Sequence, residues 1–125
     1  MKFDDGIPIY LQIKEEIENA IVSGSIKEED SIPSIRVLAQ QYKLNPQTIS
    51  SAVSELMNSD VLYKKRGIGM FVNKGAREML RKKKMKEFTE IELCRIIEKG
   101  INLGITKDDF IVMINSVYQE KGAKL

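Results

Sequence analysis

Apolar positions between Ile9 and Leu56 recur every three or four residues, which is the period of an α-helix. The first stripe ends at Ile21, with Pro8 in front of it as a first helical residue and Gly24 behind it as a left-handed cap. Two further stripes follow at the same spacing: Ile35, Leu38, Ala39 and Tyr42, then Ile49, Ala52, Val53 and Leu56. The pattern predicts three amphipathic helices.

Capping residues predict where the second and third helices begin. Ser34 stands where a hydroxyl can accept a hydrogen bond from a free backbone amide of the second helix. Asn45 and Pro46 are typical of an N-cap and a first helical residue, and they predict the start of the third helix. Two short helices separated by such a brief turn form a helix-turn-helix.

After Asp60 the helical spacing gives way to short β-prone runs at Val61–Lys65 and Met70–Val72. Gly67 and Gly69 lie between them and supply the positive φ angles that a hairpin turn needs. A two-stranded hairpin is marginal in water, so we expect this one to pack on the helices. The polar stretch from residue 25 to residue 33 is predicted as a connector.

From Gly75 onward the spacing is helical again, with Gly104 as a stop and Thr106 as the N-cap of a last helix. Asp109 follows Thr106 by three residues and makes an imperfect capping box. The apolar stripes of these two helices contain Ala76, Met79, Leu80, Phe88, Ile91, Leu93, Ile96 and Ile97, then Phe110, Ile111, Ile114, Val117 and Tyr118.

Two helices within the 51 residues from 75 to 125 cannot build a substantial core by themselves. Their apolar stripes need another surface, and a symmetry-related copy is the commonest one. We therefore predict two domains, residues 1–74 and residues 75–125. The second is expected to be a helical region through which the chain forms a homodimer.

Composition narrows the possible functions. Of the 125 residues, 42% are apolar and 30% are charged, as in ordinary globular proteins. No apolar run is long enough to cross a bilayer, and the N-terminus lacks the apolar core of a signal peptide. We therefore expect a cytoplasmic protein without a membrane partner.

Histidine is absent, and Cys94 is the single cysteine. This excludes an internal disulfide and excludes serine–histidine or cysteine–histidine catalysis within one chain. A zinc site would need carboxylates for almost all its ligands, which is uncommon. We expect a protein that is not an enzyme and has no metal or cofactor, with Cys94 as a small buried apolar residue.

The net charge is only +2, with a net of −1 in residues 1–74 and +3 in residues 75–125, so charge alone gives no strong nucleic-acid signal. Two local basic clusters stand out, Lys64–Arg66 and Arg81–Lys86. The first cluster either contacts phosphates or consists of solvated charges that protect an edge strand from aggregation. For the second, a solvated helix face is favoured over phosphate contact.

Four linked motifs resemble the signature of GntR-family bacterial transcription regulators. They are PIYLQI at 8–13, IPSIRVLA at 32–39, NPQTI at 45–49 and RGIGMFV at 66–72. The resemblance spans residues 7–73, and the short two-helix remainder resembles the YtrA subfamily. It implies a mostly α fold with a small β-hairpin, namely a winged helix-turn-helix followed by a two-helix dimerisation appendage.

The resemblance also implies which residues contact DNA. Arg36 matches an arginine that contacts DNA from the second helix, and Gly67 matches the glycine at the tip of the wing. Strand alternation sends Lys64 and Lys65 to opposite faces, and Lys65 is taken as a contact together with Arg66. The full set expected at the DNA is Ser34, Arg36, Asn45, Pro46, Gln47, Thr48, Ser50, Lys65, Arg66 and Gly67.

Several of these residues have a plainer interpretation. Arg36 is either a DNA contact, which the motif favours, or an exposed arginine paired with an acid. Gln47 is the best base reader available because an amide can pair with adenine at two points, but it also suits a polar helix face. Thr48 can equally bind Asn45 or the backbone.

The sequence departs from the family pattern in two places. Lys43 stands where the family usually has the turn glycine, which predicts a non-glycine residue in the left-handed conformation. The stretch from residue 49 to residue 54, ISSAVS, lacks the arginine that members commonly carry in the recognition helix. Fewer guanine contacts and weaker attraction to phosphates follow from that absence.

These observations predict a sequence-specific transcriptional regulator that binds a palindromic operator as a homodimer. Repression is favoured, but the sequence leaves open whether the protein represses or activates. The alternative is a winged-helix module for protein–protein interaction with weak or no DNA binding, which the arginine-poor helix and the acidic first half favour. Steep salt dependence of DNA binding separates the two, because phosphate contacts release counterions. The sequence leaves open whether a small-molecule effector binds.

Overall fold

The computed structural model of the chain describes residues 2–122. The helices are α1 (Ile9–Ser23), α2 (Ile35–Tyr42), α3 (Pro46–Asn58), α4 (Ala76–Glu87), α5 (Leu93–Asn102) and α6 (Lys107–Glu120), and the strands are β1 (Ser31–Ile32), β2 (Leu62–Lys65) and β3 (Gly69–Val72). A π-helical segment, Phe88–Glu92, lies between α4 and α5. Among the described residues, no helix has both the length and the apolar character that crossing a membrane requires.

The chain divides into two compact units, residues 1–83 and residues 84–125. The sequence predicts a boundary after residue 74, whereas the first unit continues through the start of α4. The reason is that Ala76 and Leu80 are each 1% exposed and belong to the core of that unit. The start of α4 belongs to the first unit because its buried side chains are part of that unit's core.

The core of the first unit combines one face of each of its helices with the inner face of the sheet. Its buried residues include Ile13, Ile17, Ile21, Leu38, Ala39, Ile49, Ala52, Val53, Leu56, Val61, Leu62, Met70 and Val72. The three predicted helical stripes are therefore confirmed as core faces, except for Ile9 at the start of the first stripe, which is 40% exposed. This mostly helical arrangement with a small antiparallel sheet is the winged helix-turn-helix that the sequence predicts.

The predicted helix boundaries are confirmed at three of the caps. Gly24 ends α1 in the left-handed conformation, and Ser34 accepts a hydrogen bond from the Val37 amide at 3.2 Å at the start of α2. Asn45 caps α3, with Pro46 as its first residue. At the start of α1, Pro8 is the N-cap and not the first helical residue that the sequence predicts, so the helix begins one residue later, at Ile9.

The sheet has one strand more than the predicted hairpin. Its order is β1-β3-β2, and β1 pairs antiparallel with β3 through Ser31 opposite Phe71 and Ile32 opposite Met70. The sequence predicts only a connector there, because a strand of two residues is too short to show a period. Burial of Ile32 against the core and pairing with β3 define this strand instead.

The turn between α2 and α3 is closed by Lys43 in the left-handed conformation, with φ 56° and ψ 46°. The Leu44 amide donates to the Ala39 carbonyl at 3.0 Å, and the Lys43 amide donates to the Gln40 carbonyl at 3.3 Å. These two hydrogen bonds form a Schellman motif, in which glycine is the usual left-handed residue. The predicted conformation of Lys43 is confirmed.

The second unit contains the helical hairpin of α5 and α6. Thr106 and Asp109 form a complete capping box, because each side chain accepts a hydrogen bond from the backbone amide of the other. Gly104 ends the preceding turn with φ 85°. Cys94 is exposed, so the expectation that it is buried is wrong. Helical spacing placed Cys94 beside apolar residues, but this unit leaves most of those residues exposed as well.

Candidate nucleic-acid interface

The first turn of α2 presents Arg36 to solvent. Ser34 holds the start of this helix through its hydrogen bond to the Val37 amide, and its own side chain is exposed. Within residues 2–122, the Arg36 guanidinium makes no hydrogen bond and no ion pair. The interpretation of Arg36 as an arginine paired with an acid therefore has no support in the described chain, and the guanidinium is available to a partner.

The first turn of α3 is fixed by Asn45. Its Oδ1 atom accepts a hydrogen bond from the Gln47 amide at 2.8 Å, while Pro46 needs no donor partner at the first helical position. Thr48 uses its backbone amide to contact the Asn45 carbonyl at 3.0 Å, and its hydroxyl makes no hydrogen bond among the described residues. Gln47 is exposed, whereas Thr48 is half-buried.

The outward face of α3 consists of short neutral polar side chains. Ile49, Ala52, Val53 and Leu56 occupy the buried face. On the other side lie Gln47, Ser50, Ser51 and Ser54, and the helix contains no lysine or arginine. An ion pair between Lys14 and Glu55, with 3.5 Å between Nζ and Oε2, connects α3 to α1. This face can form hydrogen bonds with bases but supplies no positive charge.

A groove of about 270 Å³ runs between the start of α1 and the start of α3. It is lined by Ile9 and Tyr10 from α1 and by Gln47, Thr48 and Ser51 from α3. Tyr10 is half-buried and was not among the residues predicted from the sequence. It lies within the PIYLQI motif, but its proximity to Gln47 follows only from the packing of α1 on α3.

The wing presents Arg66 and Gly67 at its tip. Gly67 has φ 76°, and the Ile68 amide donates to the Lys65 carbonyl at 3.0 Å across the turn. Gly67 has no other heavy atom within 4 Å of the position its Cβ would occupy, so the positive φ is the main reason for glycine here. Arg66 is exposed and makes no ion pair or hydrogen bond in the part of the chain the structure describes.

Lys65 is held on the outer face of the wing. The rings of Tyr63 and Phe71, opposite each other on β2 and β3, are stacked with 5.7 Å between their centroids. The Lys65 ammonium lies 4.8 Å from the Phe71 centroid and 6.0 Å from that of Tyr63. Lys64 is exposed on β2, at the edge of the sheet. This geometry is compatible with both interpretations of the basic cluster, phosphate contact and protection of the edge strand from aggregation.

Arg81, the first residue of the other basic cluster, lies near the C-terminal end of α1 together with Arg77. Arg77 and Arg81 line a pocket of about 430 Å³ together with Ile21 and Gly24, at the C-terminal end of that helix. The groove beside α3 is lined by residues from the opposite, N-terminal end of α1. The two ends of this helix of 15 residues are about 22 Å apart. Arg81 is also paired with Glu78 at 2.7 Å. Arg77 and Arg81 thus lie away from the start of α3, which is the recognition helix of the helix-turn-helix.

The described surface therefore contains a capped recognition helix, an exposed arginine on the helix before it and a hairpin whose tip carries another arginine. These features define a DNA-binding winged helix-turn-helix regulator of transcription. Residues 9–72 match the model of the gntR family of bacterial regulatory proteins. The chain belongs to the GntR family, and it is a regulator of transcription and not an enzyme.

Relatives and solved structures agree with this assignment. The HTH-type transcriptional repressor YtrA of Bacillus subtilis is 34% identical over 118 residues, which cover 94% of this chain and 90% of YtrA. A GntR-family transcriptional regulator from Listeria monocytogenes matches with a TM-score of 0.78 and 34% identity, over 91% of this chain and 98% of that one. The predicted likeness to the YtrA subfamily is confirmed.

A third comparison includes DNA. The DNA-binding domain of AraR, in complex with operator ORR3, matches with a TM-score of 0.52 and 35% identity, over 58% of this chain and 87% of that one. It shows that a related fold binds an operator. The individual DNA contacts of this chain remain predictions.

Proposed function

We propose that the chain is a cytoplasmic repressor that binds a palindromic operator as a homodimer through its C-terminal helices. The observation that carries the proposal is the exposed apolar face of the second unit. Leu93, Ile96, Ile97, Ile101, Ile105, Phe110, Ile111 and Ile114 line a groove of about 510 Å³ on the α5–α6 hairpin. Ile96 is 57% exposed and Ile101 is 62% exposed in the single chain.

A second copy is the occupant that this apolar face supports best. Contiguous exposed apolar surface on a soluble chain marks an interaction site. Full burial of one exposed isoleucine or phenylalanine contributes about 1.5–3 kcal/mol, so it takes the groove residues of both copies together to offset an association cost of roughly 4–15 kcal/mol. A two-fold dimer presents two identical recognition helices, and each half of its operator then repeats the other in inverted orientation.

At the DNA, we propose that the exposed starts of α2 and α3 enter the major groove and that the wing contacts the backbone beside it. Arg36 and Gln47 contact base edges, and Arg66 contacts phosphate. The remaining proposed contacts, which position the protein or follow the wing, are Ser34, Asn45, Pro46, Thr48, Ser50, Lys65 and Gly67. The repressor function is supported by YtrA, a relative whose name describes a repressor.

The second candidate function is a winged-helix module for protein–protein interaction. It is favoured by the absence of lysine and arginine from α3. A repressor loses affinity for DNA steeply as salt concentration rises, because each neutralised phosphate releases counterions. A protein–protein module instead binds duplex DNA weakly or not at all and selects no operator sequence.

The proposal is tested by sedimentation and by DNA titration of the full chain and two variants. Ile96→Glu places a charge in the apolar groove, and it is expected to give a monomer that loses most of its operator affinity, since each half-site then binds alone. Val112→Glu is the matched control, because Val112 is 67% exposed but does not line the groove. A full-length chain that sediments as a monomer at micromolar concentration would contradict the proposal.

A truncated chain gives an independent test. It must retain residues 1–83, because Ala76 and Leu80 fill the core of the first unit. This fragment is expected to be folded and monomeric and to bind the operator poorly. Equal operator affinity of the fragment and the full chain would show that DNA binding does not need the C-terminal helices.

A further inference from the structure

Few side chains at the starts of α2 and α3 are able to recognise a base at two points. Such recognition requires a guanidinium for guanine, or both the oxygen and the nitrogen of an amide for adenine. The Oδ1 atom of Asn45 accepts a hydrogen bond from the backbone amide of Gln47 at 2.8 Å, so this oxygen is directed at the start of α3 and is not free to face a base edge together with the nitrogen. The Ser51 hydroxyl donates to the Gln47 carbonyl at 3.1 Å.

Three side chains on these two helix starts remain able to discriminate bases. The Arg36 guanidinium and the side-chain amide of Gln47 have no hydrogen-bond partner among residues 2–122, so both have their full two-point geometry available. The hydroxyl of Thr48 is likewise unengaged in the described chain, and its methyl group can pack on the methyl group of thymine. Serine hydroxyls pair with any base, so Ser50 and Ser54 discriminate weakly.

We infer that each half of the operator is read sparsely, with guanine selected at a single base pair by Arg36 and adenine at a single base pair by Gln47. This inference rests on the proposed function, because it specifies the DNA that the proposed repressor binds. Thr48 adds a preference for thymine. Base pairs that face Ser50 and Ser54 tolerate substitution.

Lys43 is a cation in the turn before α3. Its exposed ammonium is a compact point charge that suits a phosphate, whereas guanine recognition is best served by the planar guanidinium of arginine. Lys43 is therefore assigned to base-independent attraction. It is the matched control for Arg36, since both are exposed cations of the helix-turn-helix.

The test is selection of binding sites from random-sequence duplexes by the purified full chain and by Arg36→Met, Gln47→Ala and Lys43→Met. The wild type is expected to enrich one guanine and one adenine in each half-site, together with the thymine that Thr48 prefers. Arg36→Met should lose the preference for that guanine by about 5- to 150-fold while the adenine persists. Gln47→Ala should lose only the adenine, and Lys43→Met should enrich the same sequence as the wild type.

Two outcomes would overturn the inference while leaving the proposed repressor intact. One is a wild-type half-site with two or more strongly selected guanines. The other is a guanine preference that survives Arg36→Met or disappears in Lys43→Met. If the wild type enriches no sequence at all, the proposed function fails and the inference fails with it. Circular dichroism of each variant establishes that it is folded before its selected sequences are interpreted.

Discussion

The ring of Phe110, in the first turn of α6, packs directly against the backbone of Gly100 in α5. A Cβ atom built on Gly100 would fall 2.9 Å from Phe110 Cε2, and closer still to Cζ. Gly100 is the buried residue of α5, and Phe110 is half-buried in the single chain. Glycine in a helix costs about 0.5–1 kcal/mol relative to alanine, and the close approach of the Phe110 ring explains why glycine stands here despite that cost.

Gly100→Ala is therefore expected to destabilise the second unit by about 1–3 kcal/mol, because the added methyl group displaces the ring. The free energy of unfolding, measured with a chemical denaturant, tests this. The control places the same substitution in a Phe110→Ala background, where the clash is gone and alanine should stabilise the helix. An equal effect in both backgrounds would show that the contact with Phe110 does not explain the glycine.

Lys43→Gly should stabilise the first unit by up to about 1 kcal/mol. A non-glycine residue in the left-handed conformation costs about 1–2 kcal/mol, and the greater flexibility of glycine in the unfolded chain offsets part of the gain. Asp60→Gly is the control, because Asp60 has φ 61° but aspartate tolerates this conformation better than lysine. Thermal unfolding that shows no larger gain at Lys43 than at Asp60 would contradict the strain argument.

Arg66→Ala should lower affinity for all duplexes nearly uniformly and reduce the slope of log affinity against log salt by about one unit. The reason is that the exposed Arg66 has no partner in the described chain and is free to contact phosphate. Lys65→Ala should reduce the slope less, because the Lys65 ammonium already lies 4.8 Å from the Phe71 centroid. An altered base preference with an unchanged slope would mean that Arg66 reads bases.

We expect the carboxylate of Glu28 to make a pH-dependent contribution to the stability of the first unit. Hydrogen bonds from the backbone amides of Gly75 and Arg77 lower the pKa of Glu28, and the Arg77 amide lies 3.1 Å from Oε2. Because the folded-state pKa is the lower one, the stabilisation is present above the ordinary glutamate range. It is lost as the pH falls through the folded-state value.

Glu28→Gln should accordingly be less stable than the wild type at neutral pH, and the difference should shrink as the pH is lowered. Glu29→Gln is the control, since the exposed Glu29 carboxylate makes no hydrogen bond with the described residues. Denaturant unfolding at several pH values measures both variants. A Glu28→Gln deficit that stays constant down to acidic pH would exclude the carboxylate as its cause.

The helices and the turn could be predicted because their signals are local. Ser34, Asn45 and Thr106 cap helices within three residues of themselves, and the structure contains all three hydrogen bonds. The left-handed conformation at Lys43 followed from its position in the family motif. Helix caps and turn conformations depend on the nearest few residues, so local sequence patterns are enough to identify them.

The functional surface was only partly predictable. Family motifs marked Arg36 and Gln47, but the proximity of Tyr10 to Gln47 depends on how α1 packs on α3. The stacking of Lys65 on Phe71 likewise depends on the register that places Tyr63 opposite Phe71. Motif spacing identifies candidate residues but not the neighbours that other elements bring to them.

By itself the sequence determined which segments are helical, where their caps lie, which face of each helix is apolar and to which family the chain belongs. Tertiary structure alone decided that β1 joins the sheet, that Ala76 and Leu80 belong to the first core, and that Cys94 is exposed. The physical reason is the range of the interactions. Caps and periodicity act over a few residues, whereas strand pairing and burial depend on segments far apart in the chain.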